Sequence, residues 1–294
     1  MTHETFRVVR RGVGMSIQDA GRPGLARFGI PPSGVMDDHA AAWANRLLDN
    51  PPVAPVVEIL MQGTHLEVLR TCWIAITGAD ARCNFPRWRI VRAHAGEGLV
   101  FPLLQKGLWT YVAVEGGFST PCWLGSASVY PRGRIGRALG DGDVLHVGTE
   151  HQLSLPPPVA GRLVSNDEIR DYQHPPAIRL WRGPQWDLFP REDRSSFFQQ
   201  TWSVSAQSDR VGYRLEGGHL SSEVKQIISE PVLVGSVQVP PGGQPIVTMR
   251  DGPTVGGYPK IGLVDPADLS WLAQCRPGVP FQFRLADQPA SSPD

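Results

Sequence analysis

The segment Pro240-Pro-Gly-Gly-Gln-Pro-Ile-Val-Thr-Met-Arg-Asp-Gly-Pro-Thr-Val-Gly-Gly-Tyr-Pro-Lys260 predicts, in succession, a turn, a short apolar strand and a polar loop. Its first prolines and glycines favour a turn, and Pro245–Met249 has the composition of a β-strand. Similar short runs occur at Trp73–Thr77 and Trp109–Val114. Because 32 glycines and 28 prolines separate such runs, the sequence predicts a mainly β protein with a few short helices.

Two segments have the pattern of a helix. The first runs from Asp37 to Leu48, where Asp37 precedes an alanine-rich run as the N-cap residue. The second runs from Asp265 to about Gln274, with Asp265 as the cap and a proline at the first helical position.

Consecutive prolines within Ser154–Gly161 predict a domain boundary, because they fit neither a helix nor a central strand. We therefore expect an N-terminal β domain over residues 1–160 and a C-terminal β domain over residues 161–294. The length of 294 residues and the 41% hydrophobic content suffice for two such cores.

The overall composition argues against several classes of partner. The formal net charge is zero, so there is no electrostatic reason to expect binding to nucleic acid or to anionic lipid. No apolar run approaches the roughly 18 residues of a membrane span, and we expect a cytoplasmic protein. The four cysteines lack metal-ligand spacing, so we expect no zinc site.

The polar loop after the Pro245–Met249 strand gathers a carboxylate, a hydroxyl, a phenol and an ammonium group around two adjacent glycines. Loops at strand ends commonly carry binding residues, and glycine permits close approach of a ligand. The predicted catalytic residues are Asp251, Thr254, Tyr258 and Lys260, with Gly256 and Gly257 contacting the substrate. The alternative is an ordinary turn in which Tyr258 packs and Lys260 is solvated.

Two loops near the N-terminus, Ser16–Leu25 and Gly29–Asp37, are also rich in polar groups. An amide there can donate and accept, and an arginine can hold a carboxylate at two points. The predicted substrate-binding residues are Gln18, Asp19, Arg22 and Ser33. The alternative is a buried turn in which Asp19 pairs with Arg22 and Asp37 caps the following helix.

The second half of the chain supplies further polar candidates in Ser208–Leu215 and Ser229–Pro241. Arg210, Arg214 and Gln238 are predicted to bind substrate. Glu230 could line the same cleft. The alternative is that these residues form a structural ion-pair network between loops.

Taken in order, the short motifs of these loops resemble one family. They are Gln18-Asp19-x-Gly21-Arg22-x-Gly24, Pro31-Pro-Ser-Gly34, Gly125-Ser126, Asp209-Arg210-x-Gly212-x-Arg214-Leu215, Gln238-x-Pro240 and Thr254-x-Gly256-Gly-Tyr258. The set is similar to that of the biotin-dependent carboxyltransferase-like family, also called the allophanate hydrolase subunit 2 family. The resemblance runs from about Arg7 to Phe283, and the family includes the C subunit of 5-oxoprolinase, Kip-antagonist proteins and the carboxyltransferase part of urea carboxylase.

The resemblance implies two cyclophilin-like β-barrel domains, with a functional cleft shared with an allophanate hydrolase subunit 1-like companion subunit. In the 5-oxoprolinase branch, similar subunits act with this companion and a third lactam-hydrolase subunit, using ATP, to open 5-oxoproline to glutamate. In the urea carboxylase branch, the matching domain passes carboxylate from biotin to urea. Similar Kip-antagonist proteins are regulatory and do not catalyse a reaction.

Residue context helps to choose between these branches. A biotin carrier usually presents its target lysine in Met-Lys-Met, and none of the three lysines here has a methionine neighbour. The resemblance therefore favours a subunit of an ATP-dependent amide or lactam hydrolase, with biotin only in the alternative. We expect Arg210 or Arg22 to hold the substrate carboxylate and Asp251 to act as a base or orienter. The hydroxyl of Thr254 and the amides of Gly256 and Gly257 would bind developing negative charge.

Two departures from the family pattern leave the substrate open. Many relatives show Gly-Ser-Arg-Ser-Thr where this chain has Gly125-Ser-Ala-Ser-Val129. Others carry Asp-Arg-Gln-Thr where this chain has Asp251-Gly-Pro-Thr254. An arginine is absent at Ala127, so a different small amide or a regulatory role is also consistent with the sequence.

Overall fold

The computed structural model describes residues 2–148 and 161–286, and this part of the chain divides into two compact units. The first unit contains residues 2–25 and the described residues of 32–172, and the second contains residues 26–31 and 173–286. The predicted boundary segment lies, except for Gly161, outside the described residues. Within the described chain, the division falls after Tyr172.

The first unit is built from two five-stranded sheets. One sheet has the strand order β7-β4-β1-β10-β9 and the other has the order β2-β3-β8-β5-β6. The strands are β1 (Thr2–Arg11), β2 (Gly14–Gln18), β3 (Val56–Leu60), β4 (Thr64–Val68), β5 (Cys72–Asp80), β6 (Ile90–Ala93), β7 (Gly98–Phe101), β8 (Lys106–Val114), β9 (Phe118–Ser119) and β10 (Val144–Gly148).

A hydrophobic core contains buried residues from both sheets of the first unit. Phe6 and Leu66 enter it from the first sheet, and Ile59 and Val112 enter it from the second, all fully buried. Helix α1 (Asp38–Leu47) packs against β5 and β8, so these two strands are covered on both faces. This explains why almost every residue of β8 is buried.

Helix α1 begins where the sequence predicts. The side chain of Asp37 accepts a hydrogen bond from the amide of Ala40 at 3.0 Å, as an N-cap residue does. Asp37 also accepts a hydrogen bond from the Tyr172 hydroxyl at 2.8 Å. The predicted helix and the capping role of Asp37 are confirmed.

The second unit contains a seven-stranded sheet with the order β12-β13-β16-β15-β18-β11-β19 and a two-stranded sheet of β14 and β17. Helices α2 (Arg191–Gln199) and α3 (Leu269–Ala273) accompany them. The strands are β11 (Ile178–Arg182), β12 (Ser203–Val204), β13 (Gly212–Glu216), β14 (Glu230–Pro231), β15 (Ser236–Gln238), β16 (Ile246–Thr248), β17 (Val255–Gly256), β18 (Lys260–Val264) and β19 (Phe283–Leu285). The predicted mainly β fold with few short helices is confirmed.

The helices of the second unit differ from the sequence prediction. The helix predicted from Asp265 begins only at Leu269, because the Asp265 carboxylate accepts hydrogen bonds from the Ala267 amide and the Trp181 indole. These bonds hold a turn in place of the first helical turn. Helix α2 was not predicted, since its sequence is strongly polar and Phe197 is its one buried residue. No helix in the described ranges has the length and apolar character to cross a membrane.

Candidate functional site

Two parts of the polar loops predicted near the N-terminus belong to the first unit, residues 16–25 and 32–37, and they lie backbone to backbone. The amide of Arg22 donates to the carbonyl of Pro32 at 2.7 Å, and the amide of Val35 donates to the carbonyl of Asp19 at 3.0 Å. Gly21 has φ +82°, and a Cβ atom there would collide with the Pro32 carbonyl oxygen. Glycine is therefore required at this position, both for its backbone conformation and for its lack of a side chain.

The carboxylate of Asp19 holds a third segment of chain against these loops. It accepts hydrogen bonds from the hydroxyls of Ser126 at 2.5 Å and Ser128 at 2.6 Å, and from the amide of Ala127 at 2.7 Å. The amide of Gly21 also donates to it, at 2.8 Å. Sequence analysis missed both serines as site residues, although the Gly125-Ser126 motif could have indicated them. Asp19 thus holds the two N-terminal loops and residues 126–128 together in one group, the first-unit cluster.

Two of the predicted binding residues in this cluster keep unused hydrogen-bonding capacity. Gln18 donates to the hydroxyl of Ser16 and the carbonyl of Val129, but its Oε1 atom is buried with no partner among the described residues. The buried Oγ of Ser33 likewise has none within the described chain. Ser33 also adopts a left-handed backbone with φ 54°, which is uncommon for serine. Buried polar atoms of this kind commonly bind a water or a ligand.

Arg22, the remaining predicted residue of this cluster, is almost fully buried. Its guanidinium donates a hydrogen bond to the backbone carbonyl of Ser128. All four predicted residues of the first unit therefore lie in, or bind to, the same three segments of chain. These segments are the two N-terminal loops and residues 126–129.

In the second unit, Arg210 and Asp251 form an ion pair. The Nε and Nη2 atoms of Arg210 donate to the two carboxylate oxygens at 2.8 and 3.2 Å, and the Asp251 side chain is only 4% exposed. The Asp251 amide also donates to the Arg210 carbonyl at 2.8 Å. Arg210 therefore takes part in an ion pair between loops, as the alternative to substrate binding supposed, but its partner Asp251 was not part of that alternative. A ligand would have to compete with this pair for either group.

Lys260 forms a second ion pair in the same unit. Its ammonium group donates to Glu230 Oε1, which also accepts a hydrogen bond from Gln185 Nε2 at 2.9 Å. The Lys260 side chain is only 6% exposed, so the alternative of a solvated lysine is wrong. The hydrogen bond from Lys260 holds the pKa of Glu230 below its ordinary value. Gln185 lies outside the family motifs, so sequence analysis missed it.

Gly256 lies in β17, paired with β14, and contacts the side chain of Gln238. A Cβ atom at Gly256 would lie 2.7 Å from Gln238 Oε1, and the amide nitrogen of Gln238 donates to Thr248 Oγ1 at 2.9 Å. The space at this glycine is therefore occupied by the protein's own amide. The neighbouring Thr254 carbonyl accepts a hydrogen bond from the amide of Val232.

The remaining predicted residues of the second unit differ in exposure. Gly257 is partly buried, and its carbonyl accepts a hydrogen bond from the Ile227 amide at 2.9 Å. Tyr258 is 37% exposed. Arg214 is exposed on β13, and its side chain makes no hydrogen bond to another described residue. Catalytic and binding roles for all of these residues stay predictions.

The chain resembles known proteins over nearly its whole length. The family model described as "Carboxyltransferase domain, subdomain A and B" matches residues 28–285. The chain belongs to this carboxyltransferase family. The resemblance inferred from the loop motifs is thereby confirmed.

Similar members of the carboxyltransferase family include two bacterial subunits. The C subunit of 5-oxoprolinase from Escherichia coli is 35% identical over 95% of this chain and 90% of its own length. The corresponding C subunit from Haemophilus influenzae is 37% identical over 91% and 87%. Urea amidolyase of Lachancea kluyveri is 30% identical over 98% of this chain, which spans only 18% of that protein.

A solved structure agrees with the fold. The crystal structure of the protein TTHA0988 superposes with a TM-score of 0.82 at 35% identity, over 96% of this chain. The chain spans about half of TTHA0988, namely 56% of its length.

Proposed function

We propose that this chain is a subunit of an ATP-dependent hydrolase complex of the 5-oxoprolinase type, which converts 5-oxoproline to glutamate. The observation that carries the proposal is the extent of the similarity. The matches to the two bacterial 5-oxoprolinase C subunits extend over 90% and 87% of their lengths, so the likeness covers most of each subunit. The chain would be inactive alone and would act with an allophanate hydrolase subunit 1-like companion and a third lactam-hydrolase subunit.

The chemistry of the proposed reaction explains the need for ATP. An unstrained lactam resists water because amide resonance must be lost when its carbonyl carbon is attacked. Transfer of the terminal phosphoryl group of ATP to the amide oxygen would make that carbon electrophilic. Water would then add to that carbon, and the ring C–N bond would break to give an acyl phosphate. A second water would hydrolyse this acyl phosphate to glutamate and phosphate. We assign ATP to the assembled complex and to no named residue of this chain.

The first-unit cluster is the part of this chain best suited to hold a small amide or lactam. The unused oxygens of Gln18 and Ser33 can accept from a lactam N–H, and the Ser33 hydroxyl can also donate to an oxygen. The guanidinium of Arg22, bound to the same segment as Asp19, would face the substrate carboxylate. These residues are therefore the proposed binding groups.

In the second unit, we assign Asp251 an orienting role, because Arg210 already engages both of its oxygens. The Thr254 hydroxyl and the amides of Gly256 and Gly257 stay the proposed position for developing negative charge. Tyr258 and Lys260 would contribute polar and electrostatic support to this loop.

A second candidate is the carboxyltransferase component of a urea carboxylase-like biotin system. The match to urea amidolyase over 98% of this chain favours it, as does the carboxyltransferase family model. Biotin would then be carried by another segment or another polypeptide, since none of the three lysines here has a methionine neighbour. A regulatory role of the Kip-antagonist type stays a third, weaker proposal.

Parallel assays on one reconstituted mixture distinguish the two enzyme candidates. The chain with its companion subunits is given either 5-oxoproline and ATP, or urea with a carboxylated biotin carrier. The 5-oxoprolinase proposal predicts glutamate in the first assay and no carboxylated urea in the second. The reverse pattern would establish the carboxyltransferase candidate, and a stable complex inactive in both assays would favour the regulatory one.

The Ser33→Ala variant tests the proposed binding cluster in the same mixture. We expect a KM for 5-oxoproline raised about tenfold, equivalent to about 1.4 kcal/mol for one lost hydrogen bond. Stability should not fall, because the removed hydroxyl has no partner among the described residues. Ser195→Ala, at an exposed position of α2, is the matched control. An unchanged KM for Ser33→Ala would contradict the assignment.

A further inference from the structure

The first unit contains a cleft of about 440 Å³ that none of the proposed roles uses. Its volume lies within the range of roughly 300–1,000 Å³ that is typical of small-molecule sites. The lining residues that would meet a ligand are Ile17, Trp123, Ala127, Arg134, Leu139 and Leu145. All of them belong to the first unit.

The cleft lies on the opposite side of the 126–129 segment from Asp19. Ser126 and Ser128 donate to that carboxylate, whereas the alternate residues Ala127 and Val129 line the cleft. The side chain of Ala127 is small and leaves this part of the cleft open.

Apolar side chains line part of the cleft. Ile17, Leu139 and Leu145 are buried members of the hydrophobic core that reach the cleft. Trp123 is 55% exposed at the cleft, an unusual position for a large aromatic side chain. A ligand with a flat apolar ring would be sheltered between the core residues and this indole.

The charges that line the cleft favour an anion. Arg137 is paired with Asp143 at 2.8 Å, which leaves that pair neutral. Arg134 also lines the cleft, and its side chain makes no hydrogen bond or ion pair to another residue of the described ranges. Its backbone is in the left-handed region with φ 53°, an uncommon conformation for arginine. Within the described part of the chain, the Arg134 guanidinium thus has no charged partner and lies at the cleft.

We propose that this cleft binds a small organic anion with a flat apolar ring, whose carboxylate or sulfonate contacts Arg134. The ring lies against Ile17, Leu139 and Trp123. This site does not rest on the proposed hydrolase function, because its test needs only the purified chain and no activity.

Two dyes of similar shape and different charge test the proposal on the full chain. The anionic probe is 8-anilinonaphthalene-1-sulfonate, and the uncharged probe is N-phenyl-1-naphthylamine, which has the same rings without the sulfonate. We expect saturable binding of the anionic dye at one site per chain. Arg134→Gln should weaken it about tenfold, the effect of losing one charge-assisted contact, and should leave the uncharged dye nearly unchanged.

Two further variants complete the experiment. Arg92→Gln, at an exposed position of β6 away from the cleft, is the matched control and should bind both dyes as the parent does. Ala127→Arg should fill the cleft and abolish saturable binding of both dyes, with folding checked by circular dichroism. The proposal is overturned if the anionic dye does not saturate, if Arg134→Gln binds it as tightly as Arg92→Gln, or if folded Ala127→Arg still binds it.

Discussion

Arg210 and Arg214 lie four residues apart in the chain and have different surroundings. The guanidinium of Arg210 is held against the buried Asp251 carboxylate, whereas Arg214 is exposed on β13. Sequence alone treats the two as equivalent candidates for substrate binding. The buried pair gives Arg210 a structural role whether or not it also contacts a ligand.

This difference predicts unequal losses of stability. Arg210→Gln leaves the Asp251 carboxylate buried without its guanidinium and should lower the free energy of unfolding by about 2–3 kcal/mol. Arg214→Gln, the matched control, should change it by less than about 0.5 kcal/mol. Urea denaturation followed by tryptophan fluorescence measures both. Equal stability of the two variants, with activity lost only in Arg210→Gln, would instead show that Arg210 serves the substrate alone.

The pair of Glu230 and Lys260 predicts a pH dependence of stability. The pKa of Glu230 in the folded protein is lowered from 4.5, chiefly by its hydrogen bond from Lys260. A carboxyl group whose pKa is lower in the folded protein than in the unfolded protein stabilises the fold at pH values above its unfolded pKa. That contribution to stability is lost as the pH falls through its folded pKa. Glu230→Gln should therefore be less stable than the parent near neutral pH, with a gap that narrows below about pH 4.5. Chemical denaturation across this range measures the gap, and a constant gap would contradict the assignment.

At the scale of elements, the two N-terminal loops depend on a glycine in close contact with backbone. Gly21 and Gly24 have nearly the same backbone conformation, with φ +82° and +86°. A side chain at Gly21 would collide with the Pro32 carbonyl, whereas Gly24 faces open space. The two positions therefore separate the effect of conformation from the effect of crowding.

Alanine at these two positions should have different effects. Gly24→Ala should cost about 1–2 kcal/mol, for the left-handed backbone alone. Gly21→Ala adds a clash between the loops and should cost about 2–5 kcal/mol in all. Thermal unfolding by calorimetry compares them. If both variants lose the same stability, the loops are not packed as closely as described.

The elements also show what local sequence can and cannot predict. Helix α1 was predictable because its cap and its alanine-rich run are adjacent in the chain. Helix α3 was predicted too long because Asp265 and Asp268 bind Trp181 and Arg179, residues more than 80 positions away. Contacts of this range leave no local pattern, so the resulting turn could not be recognised.

The same limit applies to the candidate site. Asp19 was recognised from its own loop, but its partners Ser126 and Ser128 lie more than 100 residues away. Likewise, the polar loop after β16 suggested a reactive Lys260, and only the fold reveals that Glu230 neutralises it. Local motifs identified the candidate residues, whereas their pairing could be seen only in the structure.

At the scale of the whole molecule, the chain combines two mainly β units, and candidate residues occur in each. Membership of the carboxyltransferase family fixes the fold, but that family contains relatives of different activity. The choice among activities therefore depends on the whole-length similarity to the C subunits of 5-oxoprolinase. Function must be tested in the assembled complex.

The most direct test is the rate of glutamate release from 5-oxoproline by the companion subunits, with ATP, in the presence and absence of this chain. The proposed function predicts ATP-dependent release that requires the chain and saturates at a fixed ratio of the chain to its companions. Equal release with and without the chain, or none although the complex assembles on gel filtration, would contradict the proposed function.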